Sequence, residues 1–195
     1  MTQAKKSVFE SVREGMVGAV RGVGDVAQAA IEAVTATLVT ALRGVREITS
    51  EASELIFDTV RGVIRGASET GQDLAKAARG ILVGVIRATK ETGTETLDAV
   101  STTAGAVVKS TAEVGGDVVG AARGTVEGAI EGAKDIGISA EEAASAAATG
   151  AVKAAGELGG TAVEQVRNAV TGTISGVKVI LREPFKGEEE EKTKK

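Results

Sequence analysis

The chain has 195 residues with 27 acidic and 23 basic side chains, a net charge of −4, one proline, three phenylalanines and no histidine, cysteine, tryptophan or tyrosine. Phosphate binding needs an excess of positive charge, and thiol chemistry and soft-metal sites need cysteine or histidine, so we expect neither nucleic acid as the main partner nor those chemistries. The N-terminus lacks the apolar core of a signal peptide, and no run of about 20 apolar residues is present to span a bilayer.

Almost the whole sequence repeats every 11 residues and, more strictly, every 22. Steps of 22 from Gly22 meet only small residues: Gly44, Gly66, Ala88, Ser110, Gly132, Ala154 and Gly176. The same steps from Asp25 meet only acidic residues as far as Glu157. Eleven residues make three turns of about 3.67 residues, close to the α-helical value of about 3.6. The repeat therefore predicts an all-α protein with one stripe along one face of long amphipathic helices.

Apolar residues occupy nearly half of the predicted helix circumference, and charged residues occupy the rest. The bulkiest apolar row consists of Val20, Ile31, Leu42, Ile64, Ile86, Leu97, Val108, Val119, Ile130, Val152, Val163 and Ile174. The charged half contains i,i+4 pairs that we expect to form along one helix, among them Arg21/Asp25, Arg65/Glu69, Arg87/Glu91 and Lys109/Glu113. This pattern predicts an amphipathic helix with a wide apolar face.

A longer period of 44 residues predicts helix breaks near 49–50, 92–94 and 137–139. Gly93 and Gly137 fit the residue that ends a helix, and Thr92…Glu95 and Ser139…Glu142 have the form of capping boxes. If these breaks are present, the chain folds into about four helices of roughly 40 residues in hairpins. If they are absent, it forms a near-continuous rod approaching ~270 Å at 1.5 Å per residue.

We expect a single repetitive helical region over residues 1–183. Pro184 is expected to end the last helix, because proline cannot continue one. Residues 184–195 form a charged segment that we expect to be disordered.

Glycine is unusually frequent, with 26 residues, most of them inside the helical pattern. Each glycine costs a helix about 0.8–1 kcal/mol relative to alanine, so order must come from covering the apolar face. Small residues four apart allow two backbones to approach closely. The candidates for such packing are Gly18, Gly22, Gly62, Gly66, Gly80, Gly84, Gly120, Gly124, Gly128, Gly132, Gly172 and Gly176. The alternative is an alanine- and glycine-rich drift of the sequence with no packing role.

No residue has the setting of a catalytic, cofactor-binding or metal-binding group. Gly22-x-Gly24-x-x-Ala27 matches the dinucleotide fingerprint only loosely, and no strand precedes it. The segment from Gly105 to Thr111 lacks the glycine that a phosphate loop requires before Lys109. The remaining serines, lysines and carboxylates are expected on a solvated face. The sequence therefore favours a protein that is not an enzyme and binds no cofactor.

From Val8 to about Arg182, the 11-residue amphipathic repeat resembles that of exchangeable apolipoproteins, perilipins and group 3 late-embryogenesis proteins. In size, acidity and lack of cysteine the chain is also similar to bacterial polyester-granule phasins. This resemblance implies a helix that folds when its apolar face meets a lipid or polymer surface, or as the cell dries.

Two functions are consistent with these features. In the first, the protein coats a hydrophobic surface, which is a membrane, a lipid droplet or a polymer granule, and folds on contact. In the second, it is a structural protein whose helices pack on one another or on partner subunits through small-residue faces. Parallel packing would place bulky residues against small ones and cations against acids, so a homo-oligomer or filament fits this hypothesis. Both place the protein in the cytoplasm, free or peripheral to a membrane or granule.

Overall fold

The computed structural model describes residues 2–182, with side chains described from residue 8 onward except at Val23. Within this range the chain forms eight α-helices and then one β-hairpin. In chain order they are α1 (Thr2–Val23), α2 (Val26–Ala41), α3 (Ser50–Glu69), α4 (Leu74–Thr92), α5 (Thr96–Glu113), α6 (Val118–Ile136), α7 (Ala140–Leu158), α8 (Gly160–Val170), β1 (Gly172–Ile174) and β2 (Val177–Val179). The predicted helical class is confirmed, with the short hairpin as an unpredicted addition.

The described helices are 11 to 22 residues long, so the expected ~40-residue helices and the near-continuous rod are both wrong. The 22-residue period is instead the length of one helix plus its connection. Glycines with positive φ recur at this spacing, at Gly71, Gly93, Gly115, Gly137 and Gly159. A positive φ turns the chain out of the helix and is sterically easy only for glycine. Each step of 22 therefore leads to the next helix rather than further along the same one.

The helix starts are stabilised by short polar side chains. Asp25 and Asp73 each accept hydrogen bonds from two amides of the helix that follows. Asp117 caps α6 and Ser139 caps α7 in the same way, through the amides of Gly120 and Glu142. These caps satisfy amides that the first turn of a helix leaves unpaired. Asp25 is thus a helix cap, and the expected ion pair with Arg21 along one helix is wrong.

The three sequence-predicted breaks coincide with helix ends, but the structure contains others. Thr92 is the last residue of α4, and its hydroxyl donates to the Ala88 carbonyl at 2.9 Å. Glu95 precedes α5 and makes no capping hydrogen bond through its side chain, so the capping box expected at Thr92 is wrong. The additional breaks lie at 24–25, 70–73, 114–117 and 159.

Helix does not extend to Pro184, because α8 ends at Val170 and an antiparallel β-hairpin follows. Ile174 pairs with Val177, and the two-residue turn between them places Ser175 at φ 49° and Gly176 at φ 78°. Two positive φ values in succession are typical of the tight turns that match strand twist. The predicted charged segment, 184–195, lies outside the described residues.

The helices stack in two layers. One contains α1, α3, α5 and α7, and the other contains α2, α4, α6 and α8. Neighbours within a layer are parallel: the Phe9 carbonyl lies against Gly62 and the Arg13 carbonyl against Gly66, so the contacts advance in the same direction on α1 and α3. Sequential helices therefore form antiparallel hairpins, and these hairpins stack side by side as in a helical-repeat solenoid.

Aliphatic side chains fill the space between and within the two layers. The largest fully buried side chains include Met16, Leu38, Leu42, Ile56, Ile64, Ile81, Leu82 and Ile86. Buried positions of α7 are alanines apart from Ser145 and Gly150, which lets neighbouring helices approach it closely. Among the described residues, the large apolar side chains that remain exposed are Ile138, Leu158 and Ile180. The chain thus covers its own apolar face.

Candidate interaction surfaces

The twelve residues of the predicted apolar row all point toward the interior. The buried members are Val20, Leu42, Ile64, Ile86, Val108, Ile130 and Ile174. The half-buried members are Ile31, Leu97, Val119, Val152 and Val163. A row that was expected to offer itself to an external surface therefore packs within the stack.

Seven of the predicted close-packing glycines lie where two parallel helices touch. They are Gly62, Gly66, Gly80, Gly84, Gly124, Gly128 and Gly132. A Cβ added at Gly62 would lie 2.9 Å from the Phe9 carbonyl oxygen, and one added at Gly66 would lie 3.0 Å from that of Arg13. Only glycine permits backbones to approach this closely, and the contacts offset its low helix propensity.

The close-packing prediction is wrong for the remaining five glycines. An added Cβ at Gly18 or Gly22 would meet no atom within 4 Å, and one at Gly120 would meet only the cap Asp117 of its own helix. Gly172 and Gly176 belong to the β-hairpin and have φ of 95° and 78°.

One close-packing glycine was missed by the sequence analysis. Gly150 in α7 lies against the Ser101 carbonyl of α5. It is 22 residues after Gly128, which contacts the Arg79 carbonyl in the other layer. The 22-residue spacing, and not the four-residue spacing, was therefore the signal that identifies it.

Ion pairs connect successive helices of each layer. In the odd-numbered layer they are Arg13–Glu69 at 2.8 Å, Arg61–Glu113 at 2.9 Å and Lys109–Glu157 at 2.8 Å. In the even-numbered layer they are Arg79–Glu131 at 2.6 Å and Arg87–Asp135 at 2.8 Å. Arg65–Glu69 forms the expected i,i+4 pair at 3.3 Å, whereas Arg87 and Lys109 pair across helices instead of along them. Each exposed pair contributes about 0.2–1 kcal/mol.

A polar cleft of about 400 Å³ lies between α1, α3 and the end of α5. The Arg61 guanidinium lies 5.5 Å from the Phe9 ring centroid above it. Hydrogen bonds to Glu10 and Glu69 raise the pKa of Arg13. The buried hydroxyl of Ser110 lines the cleft and has no hydrogen-bond partner. The charged groups pair with one another, and this arrangement contains no nucleophile beside a general base.

The described residues contain no group of three or more metal-ligating side chains, and no described helix is long and apolar enough to cross a membrane.

The C-terminal end of the stack is covered by residues 171–182, here named the C-terminal strap. The Ile180 amide donates to the Ser145 hydroxyl at 3.5 Å, and the Arg182 amide donates to the Thr149 hydroxyl at 3.0 Å. Ile174 and Val179 of the strap are buried. The strap therefore occupies the side of α7 that faces away from α5.

The N-terminal end of the stack has no such cover among the described residues. The side of α1 that faces away from α3, here named the α1 outer face, consists of Ser11, Glu14, Gly15, Gly18, Arg21 and Gly22, all of them exposed. An added Cβ at any of its three glycines would have no atom within 4 Å. These glycines weaken α1 by about 0.8–1 kcal/mol each without a contact in the described structure to offset the loss.

No protein-family model and no curated protein sequence matches the chain. Among solved structures, the chain is similar to the crystal structure of the de novo designed helical repeat protein DHR7. The TM-score is 0.50 at 20% sequence identity, covering 87% of this chain and 92% of that one. This similarity supports the helical-repeat fold alone.

Proposed function

We propose that this chain is a non-enzymatic structural protein that acts by packing helices against protein partners. The observation that carries this proposal is the location of the apolar face. The bulky row lies inside the stack, buried or half-buried throughout, so the folded chain retains little apolar surface for a lipid or polymer. Its remaining surface is rich in charges and small residues, which suits contact with other proteins.

The absence of an assembled reaction centre among the described residues supports a non-catalytic role. Charged side chains near the polar cleft are held in ion pairs such as Arg13–Glu69 and Arg61–Glu113. A catalytic group needs a perturbed acid or base close to a reacting atom. Here the guanidinium and carboxylate groups neutralise one another at the surface.

Coating of a hydrophobic surface remains the competing hypothesis, and it has a clear structural requirement. The hairpins would have to separate so that residues such as Ile64 and Ile86, both fully buried, face the surface instead of the neighbouring helix. Separation would also break the close contacts at Gly80 and Gly128. Those contacts would then have to be replaced by burial against lipid.

Circular dichroism in dilute buffer, with and without anionic phospholipid vesicles, separates the two hypotheses. We expect full helicity without vesicles, no increase on their addition and no flotation with them. A chain that becomes helical only with vesicles would contradict the proposal. The variant Ile138→Ser/Leu158→Ser is a matched control, since it removes exposed apolar side chains and leaves the core intact. Vesicle binding that persists in this variant would mean that the buried faces open.

A further inference from the structure

We propose that the α1 outer face is a self-association surface, on which α1 of a second copy packs antiparallel about a two-fold axis near Gly18. This inference rests on the proposed function, because it names the partner of a protein that acts by helix packing. Residues on the α1 outer face are exposed and contact no other described element.

The α1 outer face continues the packing interface that already joins the helices of its layer. The caps Asp25 and Asp73 begin α2 and α4 at equivalent places, 48 residues apart. The same interval relates Gly18 to Gly66, which receives the backbone of α1 at the Arg13 carbonyl. Gly18 thus occupies the position at which a helix of this layer receives its neighbour.

Head-to-tail stacking of copies is disfavoured at both ends. The C-terminal strap already covers the side of α7 that would meet the next copy. In addition, the 48-residue interval places Arg21 where α3 has Glu69, the acceptor of Arg13. A following copy would bring Arg21 toward Lys153, the counterpart of Lys109, and like charges would meet. Two open N-terminal ends therefore have to face each other, which gives a closed dimer.

Charge on the α1 outer face fits such a dimer. Glu14 and Arg21 are seven residues apart, two helical turns, so they lie on the same flank and are centred next to Gly18. A two-fold axis perpendicular to antiparallel helices brings each flank against the same flank of the other copy. Glu14 then meets Arg21 of the second copy, and the pair forms twice. Neither side chain has an ion pair among the described side chains.

The second helix of the hairpin determines how the copies cross. Glu32 of α2 is exposed at about the height of Gly18 and accepts a hydrogen bond from Gln28 at 2.7 Å. Two hairpins packed flush would place the two Glu32 carboxylates opposite each other. The α1 helices therefore cross at an angle at Gly18, as close-packed helices commonly do, and the α2 helices diverge.

Sedimentation equilibrium of the full chain at low salt tests this arrangement. We expect a monomer–dimer equilibrium for the wild type. Glu14→Arg or Arg21→Glu alone should raise the dimer Kd at least about tenfold, since two attractions become two repulsions. The double variant Glu14→Arg/Arg21→Glu should restore dimerisation, and an equimolar mixture of the two single variants should form a heterodimer. Gly18→Leu should abolish the dimer while circular dichroism shows unchanged or increased helicity, because leucine favours helix.

The charge exchange makes the result independent of folding defects. A wild type that remains monomeric at the highest soluble concentration overturns the inference. So does a dimer that is unaffected by Gly18→Leu and by both single charge changes. Either result leaves the proposed function intact if the chain is fully helical without vesicles. Vesicle-dependent folding would contradict the proposed function itself, in an assay that does not involve self-association.

Discussion

At its C-terminal end the stack is closed by residues 171–182, whereas at its N-terminal end the outer side of α1 is uncovered within the described residues. α7 carries Ser145 and Thr149, whose hydroxyls accept hydrogen bonds from the strap. α1 carries Gly18 and Gly22 with open space around them. A repeat array has two terminal surfaces that no internal neighbour covers, and each has to be treated separately. Here one end is sealed within the chain and the other keeps the small residues of a packing surface.

The largest expected effect concerns the sealed end. Ile174→Ala removes a side chain that is 4% exposed in the strap and should lower the free energy of unfolding by about 2–5 kcal/mol. Hydrogen exchange should accelerate first in α7, which the strap covers. Ile180→Ala is the control, since Ile180 is 53% exposed and its truncation should change stability by less than about 0.5 kcal/mol. Equal effects of the two variants would mean that the strap does not seal α7.

A smaller effect separates glycines inside the stack from those on the α1 outer face. Gly128→Ala introduces a Cβ against the Arg79 carbonyl and should destabilise the chain by about 1–3 kcal/mol in urea unfolding, despite alanine's higher helix propensity. Gly18→Ala has open space around it and should stabilise the isolated chain by up to about 1 kcal/mol. Two changes of the same sign would remove the distinction between packed and open positions.

The smallest effect concerns the charges. Arg87→Gln removes the pair with Asp135 of the next helix, and we expect a loss of about 0.2–1 kcal/mol that disappears in concentrated salt. Arg21→Gln, at the open end, should leave the unfolding free energy of the monomer unchanged. Thermal denaturation at low and high salt measures both. A larger loss for Arg21 than for Arg87 would show that α1 is already paired in solution.

Much of the candidate surface was visible in the sequence, but its placement was not. Glycines such as Gly62 and Gly80 were identified from their spacing, and they lie at helix contacts. Gly18 has the same spacing and meets nothing, because it belongs to the first helix of the stack. Local spacing describes which residues share a helix face. It does not contain the information on whether a neighbouring helix follows on that side.

The acidic row shows the same limit. Asp25 and Glu69 occupy equivalent places in the 22-residue repeat, yet Asp25 caps α2 while Glu69 binds Arg13 of another helix. The C-terminal hairpin was not predicted either, although Ser175-Gly176 is a turn sequence. A continuous 11-residue phase obscured it, since valine and isoleucine fit a strand as well as a helix.

The sequence by itself determined that the chain is helical and that its apolar face requires a cover. It also contained the helix ends, in glycines such as Gly71 and Gly115 at 22-residue intervals and in caps such as Asp73. Only the tertiary structure decided that the interval counts successive helices. A continuous helix and a series of short helices with 22-residue spacing have the same hydrophobic phase, so periodicity cannot distinguish them. The chain adopts the series because turning at each glycine lets one apolar face bury another.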